Sequence, residues 1–207
     1  GLVGADGETH QGIFDIPFLC MIPNFTVLAP ANGRELKEML EYTLANVNGP
    51  TAIKYSRGEA ETLYEDACEA IHYGKGQILK EGKDAVIISV GNMLAESVKA
   101  IELLEKHGYN IGLVNPRYLK PMDTELLDQL AARYSLIITV EEGILHGGFG
   151  SMVTQYLYEH HYHGQVHSIG IHDSFVEHGS IRELRNMLGI DGESIAKDVL
   201  TLIKEAD

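Results

Sequence analysis

Ala85-Val86-Ile87-Ile88-Ser89-Val90 is the stretch whose reading decides the fold. Its apolar residues run on without alternating with polar ones, and four of the six are β-branched. A strand of that kind is buried on both faces, which is the condition inside a parallel sheet covered by helices. Gly91-Asn92 follows as a turn, and Leu94, Val98 and Ile101 then share one helical face. Three further strands are predicted at Asn110–Asn115 (stopped by Pro116), Leu136–Val140 and Gln165–Ile171. These strands start roughly 25 to 30 residues apart, as α/β units do, and the segments between them do not repeat in sequence. Lys75–Lys80 reads as a short strand ahead of the set, and Asp123-Thr124-Glu125 opens a helix with an acidic first turn. Gly147-Gly148 leads into a helix over Ser151–His160, and helices over Ser180–Leu188 and Glu193–Glu205 close the chain. Residues 71–207 are therefore expected to form a complete doubly wound sheet.

Upstream, Ser56–Tyr73 loses all periodicity and carries Glu59, Glu61, Glu65, Asp66 and Glu69. It reads as an interdomain connection ending near residue 70. Before it come a strand over Phe25–Ala29, stopped by Pro30, and a helix over Gly33–Val47 with Leu36, Leu40, Thr43, Leu44 and Val47 on one face. Asn48-Gly49-Pro50 ends that helix, and Thr51–Tyr55 is the next strand. Gly1-Leu2-Val3-Gly4 looks like a strand end, and Phe14–Met21 is an apolar, helix-compatible run. The alternation of strand and helix again predicts a parallel sheet, but only the back half of one, over residues 1–70 including the connection. The predicted fold class is thus α/β, a partial unit followed by a complete one.

The chain has 207 residues, with 16 Lys and Arg against 30 Asp and Glu, for a net charge of −14. That balance disfavours binding to a nucleic-acid backbone, so an anionic substrate must be met by a few placed cations. Hydrophobic content of 44% and charged content of 22% are those of a soluble globular protein. There is no secretory signal and no apolar run approaching the roughly 18 residues of a membrane span. Cys20 and Cys68 are the only cysteines, consistent with free thiols in a reducing, cytoplasmic setting. The chain opens on Gly1 rather than Met, which points to a piece of a longer chain.

Ligands of open α/β sheets sit at the carboxyl ends of strands, where three loops carry polar groups. The first is Gly4-Ala5-Asp6-Gly7-Glu8-Thr9-His10-Gln11-Gly12, a pliable backbone bearing carboxylates, a hydroxyl, an imidazole and an amide. It is either an acidic surface turn or a ligand loop. The second is Tyr55-Ser56-Arg57-Gly58, where Arg57 at a strand end suits bidentate binding of phosphate or carboxylate, or else pairs with the acidic connection. The third is Glu141-Glu142-Gly143 with His146-Gly147-Gly148-Phe149-Gly150. Adjacent residues on a strand face opposite ways, so Glu141 and Glu142 are no catalytic dyad. One of them is expected in solvent and the other capping the Gly-rich turn, unless one faces a partner subunit or the neighbouring unit. The turn itself lacks the Walker and dinucleotide spacings and reads as close packing. His160-His161-Tyr162-His163 reads as a solvated helix terminus rather than a metal tract.

Taken together, these motifs resemble the C-terminal part of the 1-deoxy-D-xylulose-5-phosphate synthases, a family of transketolase-like thiamine diphosphate enzymes. The matching stretches include Gly4–Gly12 with Phe14-Asp15, Ile22-Pro23-Asn24, Ala29-Pro30, Tyr55–Gly58 and Lys120-Pro121-Met122-Asp123. They continue through Val140–Gly143, Gly147–Gly150 and Asp173-Ser174-Phe175-Val176-Glu177-His178-Gly179. The first and last are the more specific to the synthases. The family usually has Pro where His172 stands, commonly Pro at Ser56, and another residue at Gly33.

The resemblance implies the back half of a pyrimidine-binding domain followed by a complete transketolase C-terminal domain. It implies a decarboxylative condensation of pyruvate with glyceraldehyde 3-phosphate and a homodimer formed through the C-terminal domain. It places His10 and Asp6 beside the cofactor and substrates, and Arg57 on the phosphate of the acceptor. The ligands of thiamine diphosphate and of Mg are expected upstream of Gly1, so no metal or cofactor ligand is assigned in this chain, and the chain alone is expected to be inactive. The β component of a 2-oxo acid dehydrogenase and a non-catalytic dimerisation module are the alternatives.

Overall fold

Two sheets organise the chain, and one strand ties them together. The computed structural model describes residues 1–206. In chain order the elements are α1 (Asp15–Met21), β1 (Thr26–Leu28), α2 (Gly33–Asn46), β2 (Thr51–Ile53), β3 (Gln77–Lys80), β4 (Ala85–Ser89), α3 (Leu94–Lys106) and β5 (Ile111–Asn115). They continue with β6 (Tyr118–Lys120), α4 (Thr124–Arg133), β7 (Leu136–Ile144), α5 (Phe149–Glu159), β8 (Gln165–Ile171), α6 (Ile181–Met187) and α7 (Gly192–Ala206).

The larger sheet has the order β3-β5-β4-β7-β8. β4, β5, β7 and β8 run parallel, and β3 is added antiparallel on the β5 edge. All five residues of β4 are buried, and alternate ones serve opposite cores. Ile87 packs with α3 and α7 through Ile101, Leu104, Ile195 and Val199. Val86 and Ile88 pack with α4 and α5 through Leu127, Leu130, Val153 and Leu157. Burying each such side chain contributes about 1.5–3 kcal/mol, and this two-sided demand is what removed polar residues from the stretch.

The smaller sheet has the order β2-β1-β6. β1 and β2 pair in parallel, from Thr26 opposite Thr51 to Leu28 opposite Ile53. On the other side β1 takes β6 antiparallel, with Val27 opposite Lys120 and Leu28 opposite Tyr118. The sheet of the first unit is therefore mixed rather than parallel, and a strand contributed from beyond residue 71 completes it. Lys120 also donates to the carbonyls of Cys20 (2.8 Å) and Ile22 (2.6 Å), closing the C-terminal end of α1 with a cation.

Other expectations need correction. Gly1–Val3 forms no strand; Leu2 instead inserts into the core beside Ile13. Pro116 does end β5, but β6 begins two residues later. On α2 the pattern marked Leu40 and Leu44 for the core, yet both are exposed, and the helix buries Glu35, Met39 and Thr43. The reason is a polar anchor. Glu35 accepts from Ala31 N (2.7 Å), Asn115 Nδ2 and Arg117 Nε (2.6 Å), and that fixes the rotation of the helix. Arg117, with positive φ of 57°, also donates to Gln77 Oε1 (2.6 Å) and Glu69 O (3.0 Å), so the acidic connection is held to the fold at its end.

Candidate active site

The opening loop is built as two short 3-10 turns, Gly4–Asp6 and Glu8–His10, hinged at Gly7 with φ of 75°. Gly4 and Gly7 have positive φ (39° and 75°), which favours glycine, and both have close neighbours beneath them. A Cβ on Gly7 would stand 2.5 Å from the His178 ring, and one on Gly4 2.5 Å from the Gly179 carbonyl. Gln11 is buried; its Oε1 accepts from Val3 N (2.7 Å) and its Nε2 donates to Glu177 O (3.2 Å). Gly179 N donates to Gly4 O (3.3 Å), and Phe14 meets Phe175 edge to face. The loop thus lies on Asp173–Gly179, so the first and the last of the stretches that carry the resemblance touch each other. Its other face is open: Asp6, Glu8, Thr9 and His10 are all exposed.

The structure brings Asp6 and Arg57 together in an ion pair across 51 residues of chain. Both side chains remain substantially exposed, at 38% and 61%. Arg57 therefore joins the loop rather than the acidic connection. A guanidinium offers five N–H donors, so pairing with Asp6 leaves donors for an anion at the same edge. His10 lies within the loop, its Nδ1 3.0 Å from Thr9 Oγ1.

Behind this exposed edge are groups that sequence reasoning missed, as with Lys54, or placed differently, as with Glu142. Lys54, at the end of β2, is nearly buried and donates to both oxygens of Asp15 (2.8 Å each) and to Gly12 O (2.9 Å). A lysine directly after an otherwise apolar strand was the available signal. Glu142, expected in solvent if Glu141 capped the turn, is 2% exposed. It accepts from Leu2 N (3.0 Å), Asn92 Nδ2 (2.9 Å) and Arg185 Nη2 (2.7 Å).

Glu141 is fully buried on the opposite face of β7, and its oxygens accept from Phe149 N (3.0 Å) and Gly150 N (2.8 Å) at the start of α5. Burial pushes its carboxyl up to about 7, against those two N–H bonds, which pull it down. The positive end of α5 is therefore closed by the protein's own carboxylate. It offers no cradle for a diphosphate. Among the described residues no three His, Cys, Asp or Glu side chains converge as a metal ion would need. At the helix end carrying the histidine tract, His160 stacks on Tyr156 at 4.0 Å, and His160, His161 and His163 are exposed. Among the described residues no side-chain cluster thus fits a metal, and the start of α5 does not fit the diphosphate of a thiamine cofactor.

A doubly wound α/β unit whose strand-end edge is closed by part of a second α/β unit is the architecture of the transketolase class. Family models agree: the transketolase pyrimidine-binding domain matches residues 1–62 and the transketolase C-terminal domain matches residues 74–195. The chain belongs to the transketolase family. It is 42% identical over 206 residues to the 1-deoxy-D-xylulose-5-phosphate synthase of Shouchella clausii, covering 99% of this chain and 33% of the relative. The synthase of Chlorobaculum tepidum is 40% identical over 207 residues, with 99% and 32% covered. The chain thus spans about a third of the length of these curated relatives. Among solved structures, a split-gene transketolase described as an inactive beta4 tetramer superposes with a TM-score of 0.86 at 29% identity, covering 97% of this chain and 64% of that one. Among the described residues no helix is long and apolar enough to cross a membrane.

Proposed function

We propose that this chain is the substrate-side C-terminal portion of a 1-deoxy-D-xylulose-5-phosphate synthase, a transferase that condenses pyruvate with glyceraldehyde 3-phosphate and releases CO2. Residues 1–70 would be the back half of the pyrimidine-binding domain with its connection, and 71–207 the C-terminal domain. The observation that carries this reading is the opening loop. It is among the stretches most specific to the synthases, it faces solvent with Asp6 and His10, and it meets Arg57 at its rim.

In this reading Arg57 binds the phosphate of the acceptor aldehyde through the N–H donors that Asp6 does not use. Asp6 holds the guanidinium in place, and His10 hydrogen-bonds the donor carboxylate or a developing alkoxide. Thiamine diphosphate supplies the carbanion chemistry when bound, and it and Mg are held by residues outside this chain. The protein works as a cytoplasmic homodimer formed through the C-terminal domain.

The test is made in the longer polypeptide that carries this chain. His10→Ala is expected to lower kcat/KM about a hundredfold, within the range of a general acid–base group. Arg57→Ala is expected to raise KM for glyceraldehyde 3-phosphate at least about tenfold, the loss of one charge-assisted contact. Undiminished turnover in the first variant, or a defect confined to pyruvate in the second, overturns the assignment.

A further inference from the structure

Glu142 stands apart from the groups used so far. Its carboxylate is 1% exposed and every partner it has is a donor. Oε2 accepts from Leu2 N (3.0 Å) and Asn92 Nδ2 (2.9 Å), and Oε1 accepts from Arg185 Nε (2.9 Å) and Nη2 (2.7 Å). These donors come from the start of the chain, the turn ahead of α3, and α6. Arg185 is itself 13% exposed and reaches Glu96 as well (3.4 Å). The helix that carries it starts at a Ser180–Glu183 capping box, directly after the segment on which the opening loop lies.

We infer that Glu142, held by Arg185, is a positioning residue: it fixes the opening loop to the second unit and so sets where Asp6 and His10 stand. The catalytic half of this inference rests on the function proposed above; the anchoring half does not. The loop is tied at both ends, by Leu2 to Glu142 before it and by Gln11 to Glu177 after it. Two anchors reduce the freedom the loop would lose when substrate arrives. The site also demands a carboxylate in particular. A carboxamide of the same shape must turn an N–H toward one of the two donor pairs, so Gln cannot serve.

The experiment is hydrogen exchange on the 207-residue protein, comparing wild type with Glu142→Gln and Glu142→Asp. In Glu142→Gln the amides of residues 2–11 are expected to exchange about tenfold to a hundredfold faster, the loss of one hydrogen bond to a charged group. Amides of β4 and β7 are expected to keep their protection. Glu142→Asp, which retains two acceptor oxygens, is expected to recover part of it. Unchanged exchange over residues 2–11, or acceleration spread equally through β4, overturns the anchoring role. Should Glu142→Gln not fold, Arg185→Lys keeps the charge but loses the fork and carries the same test, with a smaller acceleration expected and no change overturning the inference. In the longer polypeptide, a loosened loop should lower kcat about tenfold with KM for glyceraldehyde 3-phosphate changed less than about twofold, one interaction's worth of misplacement. A loosened loop with unchanged kcat overturns the catalytic half while the anchoring stands.

Discussion

Among the arginine–carboxylate pairs that join distant parts of this chain, two have opposite characters. Arg117 and Glu35 are each 2% exposed, and their bonds run to Gln77, Asn115, Ala31 and the backbone of the acidic connection. Every direction around that pair is filled by protein. Arg57 and Asp6 use the same two chemical groups at the rim of the opening loop, with 61% and 38% of their side chains in water. What differs is the surroundings. A buried pair whose partners are complete holds elements in register, and removing one member leaves an uncompensated charge. An exposed pair contributes little to stability, and its guanidinium keeps N–H donors open to solvent.

The contrast can be broken most directly at Arg117. Arg117→Ala is expected to destabilise the protein by about 3–5 kcal/mol in urea unfolding, because Glu35 is left buried and unpaired. A loss under about 1 kcal/mol would mean that the pair holds nothing in place.

Glu141 gives an intermediate case, a buried carboxylate without a cation bonded to it. Its folded-state pKa of about 7 lies above the unfolded value near 4.5, so the folded state binds the proton more tightly. Unfolding free energy should therefore decline as pH rises from about 4.5 to 7, by roughly 3 kcal/mol in all, and level off above. Chemical denaturation of wild type against Glu141→Gln across that range isolates the effect. A difference between them that does not vary with pH would remove it.

The smallest effect sharpens the comparison from the other side. Arg57→Ala and Asp6→Ala are each expected to shift stability by less than about 0.5 kcal/mol, as surface ion-pair changes do. A double-mutant cycle giving more than about 1 kcal/mol would place this pair with Arg117 and Glu35.

The parts of the fold set by local pattern were legible in the sequence. The unbroken apolar run of β4 announced a strand covered on both faces, and the spacing of its successors announced the parallel sheet. Two features were not legible, for one physical reason. β6 is Tyr118-Leu119-Lys120, confined between Pro116 and Pro121, and a segment that short carries no periodicity. The rotation of α2 is decided by Glu35, whose partner Arg117 lies 82 residues away, against the pull of Leu40 and Leu44. Both depend on long-range pairing that no window of sequence contains. At the candidate site, the opening loop and Arg57 drew attention by their place at strand ends, and the roles expected of Asp6, His10 and Arg57 came from the family resemblance. Their mutual placement, which of the two glutamates caps the Gly-rich turn, and the burial of Glu142 came only with the fold. Two neighbouring glutamates look alike in sequence, and only the surrounding donors distinguish them.

The strand β6 has a further consequence for how this family can be recombined. A cut near residue 70 is inviting, since the acidic connection there has neither helix nor strand. Exchange of everything after it would replace one edge of the smaller sheet, the lysine that closes α1 and the guanidinium that orients α2. A chimera joined in the connection must therefore match its new partner in three places. One joined after Lys120 carries all three across intact, although it divides the larger sheet between β4 and β7. Neither junction is free, so inheritance of this part of the molecule as a single block is the arrangement its strand pairing favours.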